Sequence, residues 1–156
     1  MDGIKLLFTR PSRRWQALPI TAWEGDDASH VGILLERIDI VVDASMADGV
    51  RSKNRADWMS GRVLVDSVQI TPKSIGHLEQ AEAFALDSIG QGYDWLELLG
   101  FPLLRDLGNN ERYVCSTLAR AVAEIATGYV HPGRRGRYGV RLCRLQWAAY
   151  AAGAVA

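Results

Sequence analysis

Apolar and polar positions along the chain first predict a set of short strands. Ile4 to Phe8 is an almost unbroken apolar run of strand length. Pro11 to Asp27 holds two prolines, Trp15, Trp23 and a Gly-Asp-Asp turn signal, and reads as a loop. Val31 to Leu35 is a second apolar strand, and Ile38 to Val42 is its expected hairpin partner, with Glu36 and Arg37 near the turn. Ala44 to Gly61 reads as polar and irregular, broken by Gly49 and Gly61. Arg62 to Ile70 then alternates: Val63, Val65 and Val68 interleave with Arg62, Asp66 and Gln69, the pattern of a half-buried strand.

Beyond Thr71-Pro72 the apolar period changes from two to between three and four. Pro72 or Ser74 opens a helix in which Leu78, Ala81, Ala85 and Ile89 recur on one face, and Gly90 to Gly92 ends it. Trp95 to Leu99 predicts a short helix before Pro102, and Asp106 to Glu111 a loop. Leu118, Val122 and Ile125 share one face of a helix that follows Cys115, and Thr127-Gly128 closes it. His131 to Gly139 is an Arg/Gly-rich loop, and Leu142 to Ala152 a last helix. The sum is an α+β chain with about four mainly antiparallel strands first and helices packed on one side of them. No repeat, linker or low-complexity segment interrupts residues 1–156, which read as one domain.

Composition narrows the class. With 156 residues, 48% apolar and 23% charged, the chain has the balance of a soluble globular domain. A formal net charge of zero gives no electrostatic reason to expect nucleic acid or a membrane as partner. Two cysteines, Cys115 and Cys143, do not make a disulfide framework. The first residues lack the pattern of a secretory signal, so a cytoplasmic product is expected. The apolar tail from Trp147 is too short to span a bilayer.

The candidate chemistry centres on Cys115. It stands where a loop runs into a helix, in Tyr113-Val114-Cys115-Ser116-Thr117-Leu118, near the positive end of the helix dipole, and that favours the nucleophilic thiolate. His30 opens the strand Ser29-His30-Val31-Gly32-Ile33, and one cysteine with one distant histidine are the parts of a Cys/His site. Asp43 ends the expected hairpin partner. If the two strands pair, it comes level with the start of the first and can orient the imidazole, giving a Cys115–His30–Asp43 set. Each residue also has an ordinary reading: a buried small thiol, a hydrogen-bonded strand histidine, a turn former. The Tyr113 hydroxyl, with the Cys115 N–H, is a candidate donor to a developing oxyanion, and an aromatic that packs the loop is its ordinary reading. Ser29 and Tyr93 are the other expected substrate-side residues, Tyr93 within Gly92-Tyr93-Asp94-Trp95. His77 and His131 are rival bases, read as solvated helix surface and turn. Arg134, Arg135, Arg137, Arg141 and Arg144 read as a solvated basic face. Two cysteines and three scattered histidines do not form a zinc ligand pattern, and no glycine motif cradles a phosphate.

These segments resemble the circularly permuted NlpC-type, papain-like superfamily, which includes bacterial and phage cysteine hydrolases and the relatives of lecithin retinol acyltransferase. Gly3 to Phe8 resembles the opening strand, Ser29 to Ile33 the histidine strand, and Val42-Asp43-Ala44 with Gly49-Val50 the next strand and loop. Gly92 to Trp95 resembles the segment before the nucleophile, and Tyr113 to Leu118 the nucleophile segment. The likeness covers most of residues 3–126, with histidine before cysteine as in permuted members. It implies Cys115 as nucleophile, His30 as base, and an acidic or polar orienter. Many permuted members carry glutamate in the third position, where this chain has Asp43.

What the resemblance implies is a thiol hydrolase acting through a thioester, with no cofactor. A peptidoglycan stem peptide is the leading substrate and a lipid amide or ester the second. Acyltransferase-like relatives often use a second histidine, which no residue here clearly supplies. A non-catalytic binding or structural module, for example in a phage particle, is the reading from a different class. Without a signal sequence, a cell-wall substrate would be met through a phage particle or another export route.

Overall fold

The computed structural model describes residues 3–13, 26–94, 114–131 and 139–154. Five strands form one antiparallel sheet: β1 (Ile4–Pro11), β2 (His30–Leu35), β3 (Ile40–Ser45), β4 (Gly49–Asn54) and β5 (Arg62–Ile70), ordered β4-β3-β2-β1-β5. Among the described residues four helices accompany them: α1 (Arg55–Met59), α2 (Ile75–Asp87), α3 (Cys115–Thr127) and α4 (Val140–Ala151). The described residues are therefore mixed α+β.

The β2–β3 hairpin forms where the apolar pattern puts it, but β3 starts at Ile40. Ile38 and Asp39 belong to the turn: the Ile38 N–H donates to the Leu35 carbonyl, and Asp39 takes a positive φ of 53°. The segment from Ala44 to Gly61 departs most from its sequence reading. Instead of irregular chain it holds β4 and α1, so the sheet has five strands. Gly49, at φ 70°, closes the β3–β4 turn rather than breaking a strand. β4 is an edge strand whose outer half, Ser52 to Asn54, is exposed. It therefore lacks the apolar alternation by which strands are read. Asn54 then caps α1, its side chain accepting the Asp57 N–H at 2.8 Å.

The two faces of the sheet bury different things. Ile4, Leu6, Phe8, Val31, Ile33, Leu35, Val42, Ala44, Val68 and Ile70 share the main core with buried residues of α2, α3 and α4. In α3 this contact runs through Leu118, Ala119, Val122, Ala123 and Ala126, small enough in the main to bring the helix close to the strands. Leu7, Leu34 and Val41 point the other way and close on Trp58 of α1. Asn54 lies level with Ile40, at the opposite end of the sheet from Arg62, so α1 crosses this second face between β4 and β5. It contacts β3 and both edge strands, and so the sheet curls around Trp58. Gly32 makes room for it: a Cβ there would stand 2.4 Å from Trp58 Cζ2 and 2.7 Å from Val41 Cγ1.

The helices begin and end on local signals. Ser74 caps α2 by accepting the His77 N–H, and the helix stops at Asp87, leaving Ile89 in the following turn. Gly128, at φ 69°, ends α3 in the left-handed conformation that glycine tolerates. α4 begins at Val140, two residues before the position read from sequence. The expected Trp95–Leu99 helix, the Asp106–Glu111 loop, Tyr113, most of the Arg/Gly-rich loop and most of the Pro11–Asp27 loop lie outside the described residues.

Two substitutions separate close packing from propensity. Gly32→Ala should lower stability by about 1–3 kcal/mol, because its Cβ would overlap the buried Trp58 indole and Val41. Gly76→Ala, within α2 and with its nearest neighbour Ser74 Oγ at 3.8 Å, should raise it by about 0.5–1 kcal/mol. Urea midpoints of the two variants check both signs.

Candidate active site

Cys115 is the first residue of α3, and the residue before it, Val114, has an apolar side chain that makes no capping hydrogen bond. The Thr117 hydroxyl instead closes the first turn, accepting the Val114 N–H at 3.2 Å and bonding back to the Val114 carbonyl. The thiol thus sits at the dipole's positive end, in a residue 8% exposed, at the edge of the main core.

His30 and Asp43 are brought together by strand register. Ile33 pairs with Val42. Continuing that register sets Asp43 beside Gly32, with His30 two residues further on the same face, which makes His30 and Asp43 diagonal neighbours. His30 Nε2 lies 2.6 Å from Asp43 Oδ2. That contact leaves Nδ1 as the ring nitrogen open to a second partner. The Cys115 side chain lies near enough to the imidazole to favour its charged form. The Trp58 indole stacks on the ring, with centroids 5.9 Å apart and planes 30° apart.

The Asp43 side chain is fully buried and ringed by cations. Arg51 Nε donates to Oδ1 at 3.1 Å, while its Nη1 binds Asp48. Arg62 Nη2 stands 3.8 Å from Oδ2, and its guanidinium lies over the Trp58 ring at 4.6 Å. The Trp58 Nε1–H closes to no hydrogen bond, yet it is near enough to favour a negative carboxylate. Burial alone would raise the Asp43 pKa. The hydrogen bond and charge of His30, then Trp58 and Arg51, outweigh it and hold the carboxyl well below the usual carboxylate range. Burial would likewise lower the His30 pKa. The negative charge of Cys115, the hydrogen bond to Asp43 and the remaining Cys115 and Asp43 interactions instead raise it to about 9.

The other expected site residues are placed as follows. Ser29 is buried next to His30, and its N–H donates to the Thr9 carbonyl at 3.0 Å, extending the sheet ladder. Tyr93 lies in the same buried cluster as Cys115. Tyr113 is outside the described residues. Of the rival bases, His77 hydrogen-bonds Ser74 Oγ at the start of α2, at 2.8 Å. The His131 backbone N–H donates to Glu124 at 2.7 Å, and burial and the Arg120 charge lower its imidazole pKa, against the opposing effect of Glu124. Arg144 of the basic run is paired with Asp26 at 2.9 Å, whereas Arg134, Arg135 and Arg137 fall outside the described residues.

Arg51, Arg62 and Trp58 were not expected at this site. Arg51 was the most accessible of them: once 49–54 is read as a strand, hairpin register sets it directly opposite Asp43. Among the described residues, no group of three or more His, Cys, Asp and Glu could hold a metal ion, and no helix is long and apolar enough to cross a membrane. No protein-family model, curated protein or solved structure matches the chain.

The raised His30 pKa has a definite linkage sign. A folded value above the unfolded one means that folding favours the imidazolium. The associated stability is fully present below pH about 6.5 and is lost as pH rises through about 9. The stability advantage of the wild type over His30→Gln should therefore shrink between those pH values, by at most about 3 kcal/mol. Urea unfolding of both proteins from pH 6 to 10 measures it, and a constant difference would mean that folding does not raise the His30 pKa.

Proposed function

We propose that this chain is a cysteine hydrolase with a permuted NlpC-type, papain-like fold that cleaves an amide bond in peptidoglycan stem peptides. The observation that carries the reading is one imidazole shared between two partners. His30 Nε2 meets Asp43 at 2.6 Å, and the ring also interacts with the Cys115 side chain at a helix start. The order of elements supports it, since a histidine strand precedes a cysteine helix that packs against the sheet. The substrate class comes from the sequence resemblance, and hydrolase is preferred to acyltransferase because no residue was matched to the second histidine that acyltransferase-like relatives often use.

The chemistry follows from these three side chains. The Cys115 thiolate attacks the scissile carbonyl carbon, forming an S–C bond and moving the carbonyl π electrons onto oxygen. Backbone N–H groups at the start of α3 face the developing negative charge. The His30 imidazolium gives its proton to the departing amine nitrogen as the C–N bond breaks, and a thioester remains. Neutral His30 then takes a proton from water while that water's oxygen attacks the thioester. Collapse expels the thiolate, releases the acid and restores the imidazolium. Asp43 does not exchange a proton in this cycle. It fixes the ring and favours its charged form.

Cys115→Ser should lower kcat on muropeptides by about 10³-fold or more. Its melting temperature should stay near that of the wild type, because the oxygen replaces the sulfur without opening a cavity. Mass spectrometry of the released fragments reads the turnover. Equal turnover in Cys115→Ser, or hydrolysis of lipid amides and esters with intact muropeptides, would overturn the assignment of nucleophile or of substrate respectively.

A further inference from the structure

Two arginines flank Asp43, and they are not equivalent. Arg51 hydrogen-bonds two carboxylates, Nε on Asp43 and Nη1 on Asp48. Arg62 does not. Its nearest carboxylate oxygen is 3.8 Å away, and among the described residues its guanidinium donates no hydrogen bond. Yet its side chain is only 21% exposed, and its flat face rests on Trp58. Stacking fixes the plane of the guanidinium and leaves its N–H edge as the part available to a ligand. A partly desolvated guanidinium with an unused fork is costly unless something planar and anionic fills it.

Its surroundings place that fork at the reacting centre. Arg62 is within charge–charge range of Asp43, Arg51 and Cys115. Asp43 is already committed to His30 and Arg51, so a second, incoming carboxylate suits the fork better.

We propose that Arg62 is a specificity-determining residue whose guanidinium grips a carboxylate carried by the acyl substrate close to the scissile carbonyl. This rests on Cys115 being the nucleophile. It narrows the substrate to amides with an acidic group beside the bond that is cut, and it disfavours neutral lipid esters. Bidentate N–H···O bonds orient the substrate, while the stem of Arg62 stays on Trp58.

Paired alkylating reagents test the idea without knowledge of the substrate. Iodoacetate and iodoacetamide each form an S–C bond with Cys115 and expel iodide. They differ in carrying a carboxylate or a neutral amide. Because both consume the same thiolate, the ratio of their rates is independent of how much thiolate is present. Labelling is read separately at Cys115 and Cys143 by mass spectrometry. The iodoacetate-to-iodoacetamide ratio at Cys115 should be about tenfold or more higher in the native protein than in the urea-unfolded chain. Arg62→Gln should remove most of that preference, and Arg62→Lys should keep part of it.

A role for Arg62 confined to stabilising the thiolate or holding Asp43 would slow both reagents alike and leave the ratio unchanged, which overturns the proposal. An equal ratio in native and unfolded wild type overturns it without any variant, and so guards against an Arg62→Gln protein that does not fold. The nucleophile reading is judged separately, by the absolute iodoacetamide rate and its loss in His30→Ala. A Cys115 that neither reagent labels in the native protein would overturn both.

Discussion

A carboxylate buried in protein must either find cations or take up a proton, and the arrangement of this site follows from how Asp43 meets that demand. Its side chain has no exposure, and it stays ionised because His30 and Arg51 bond to it while Arg62 stands close by. These groups come from four different strands: β2 gives His30, β3 Asp43, β4 Arg51 and β5 Arg62. One buried charge therefore ties the two edges of the sheet to its middle. The same charge holds the imidazole in place and makes it easier to protonate.

The curl of the sheet makes this convergence possible. α1 crosses the second face, and Trp58 fills the space that the missing side chain of Gly32 leaves. The indole then serves three neighbours. It stacks on His30, supports the Arg62 guanidinium, and favours the charged form of Asp43. Packing and chemistry meet in one side chain, so the short α1 crossover belongs to the site as much as the strands do. Cys115 reaches this group from the other side of the sheet, carried by α3, whose alanine-rich face allows it to lie close to the strands.

The sequence showed the site unevenly, and the reasons are physical. β1, β2 and β3 are largely buried, so their apolar character survives in the residue order, whereas β5 was read from its alternation although Val63 and Leu64 are exposed and burial is confined to Val68 and Ile70. The α3 start was visible because the helical period of Leu118, Val122 and Ile125 begins after Cys115, and its end because Gly128 is needed in the left-handed region. The neighbourhood of His30 and Asp43 was legible from hairpin counting alone, since period-two geometry fixes which side chains share a face. β4 was hidden because an edge strand can be polar throughout its outer half. Arg51 was hidden with it, although its cross-strand position opposite Asp43 is a charge complement that register would have revealed. Trp58 and Arg62 depend on the curl of the whole sheet, which no local pattern encodes. Their roles became visible only in three dimensions.

The site depends on His30 being held between Asp43 and the Cys115 side chain. Direct titration of the His30 imidazole by NMR, in wild type and in Cys115→Ser, tests it most directly. The account predicts a midpoint near 9 in the wild type, falling by more than about one unit when the sulfur charge is removed, with the Asp43 contact intact. A midpoint at or below 6.5 in both proteins would contradict it, leaving Asp43 with a neutral ring and Cys115 without a partner.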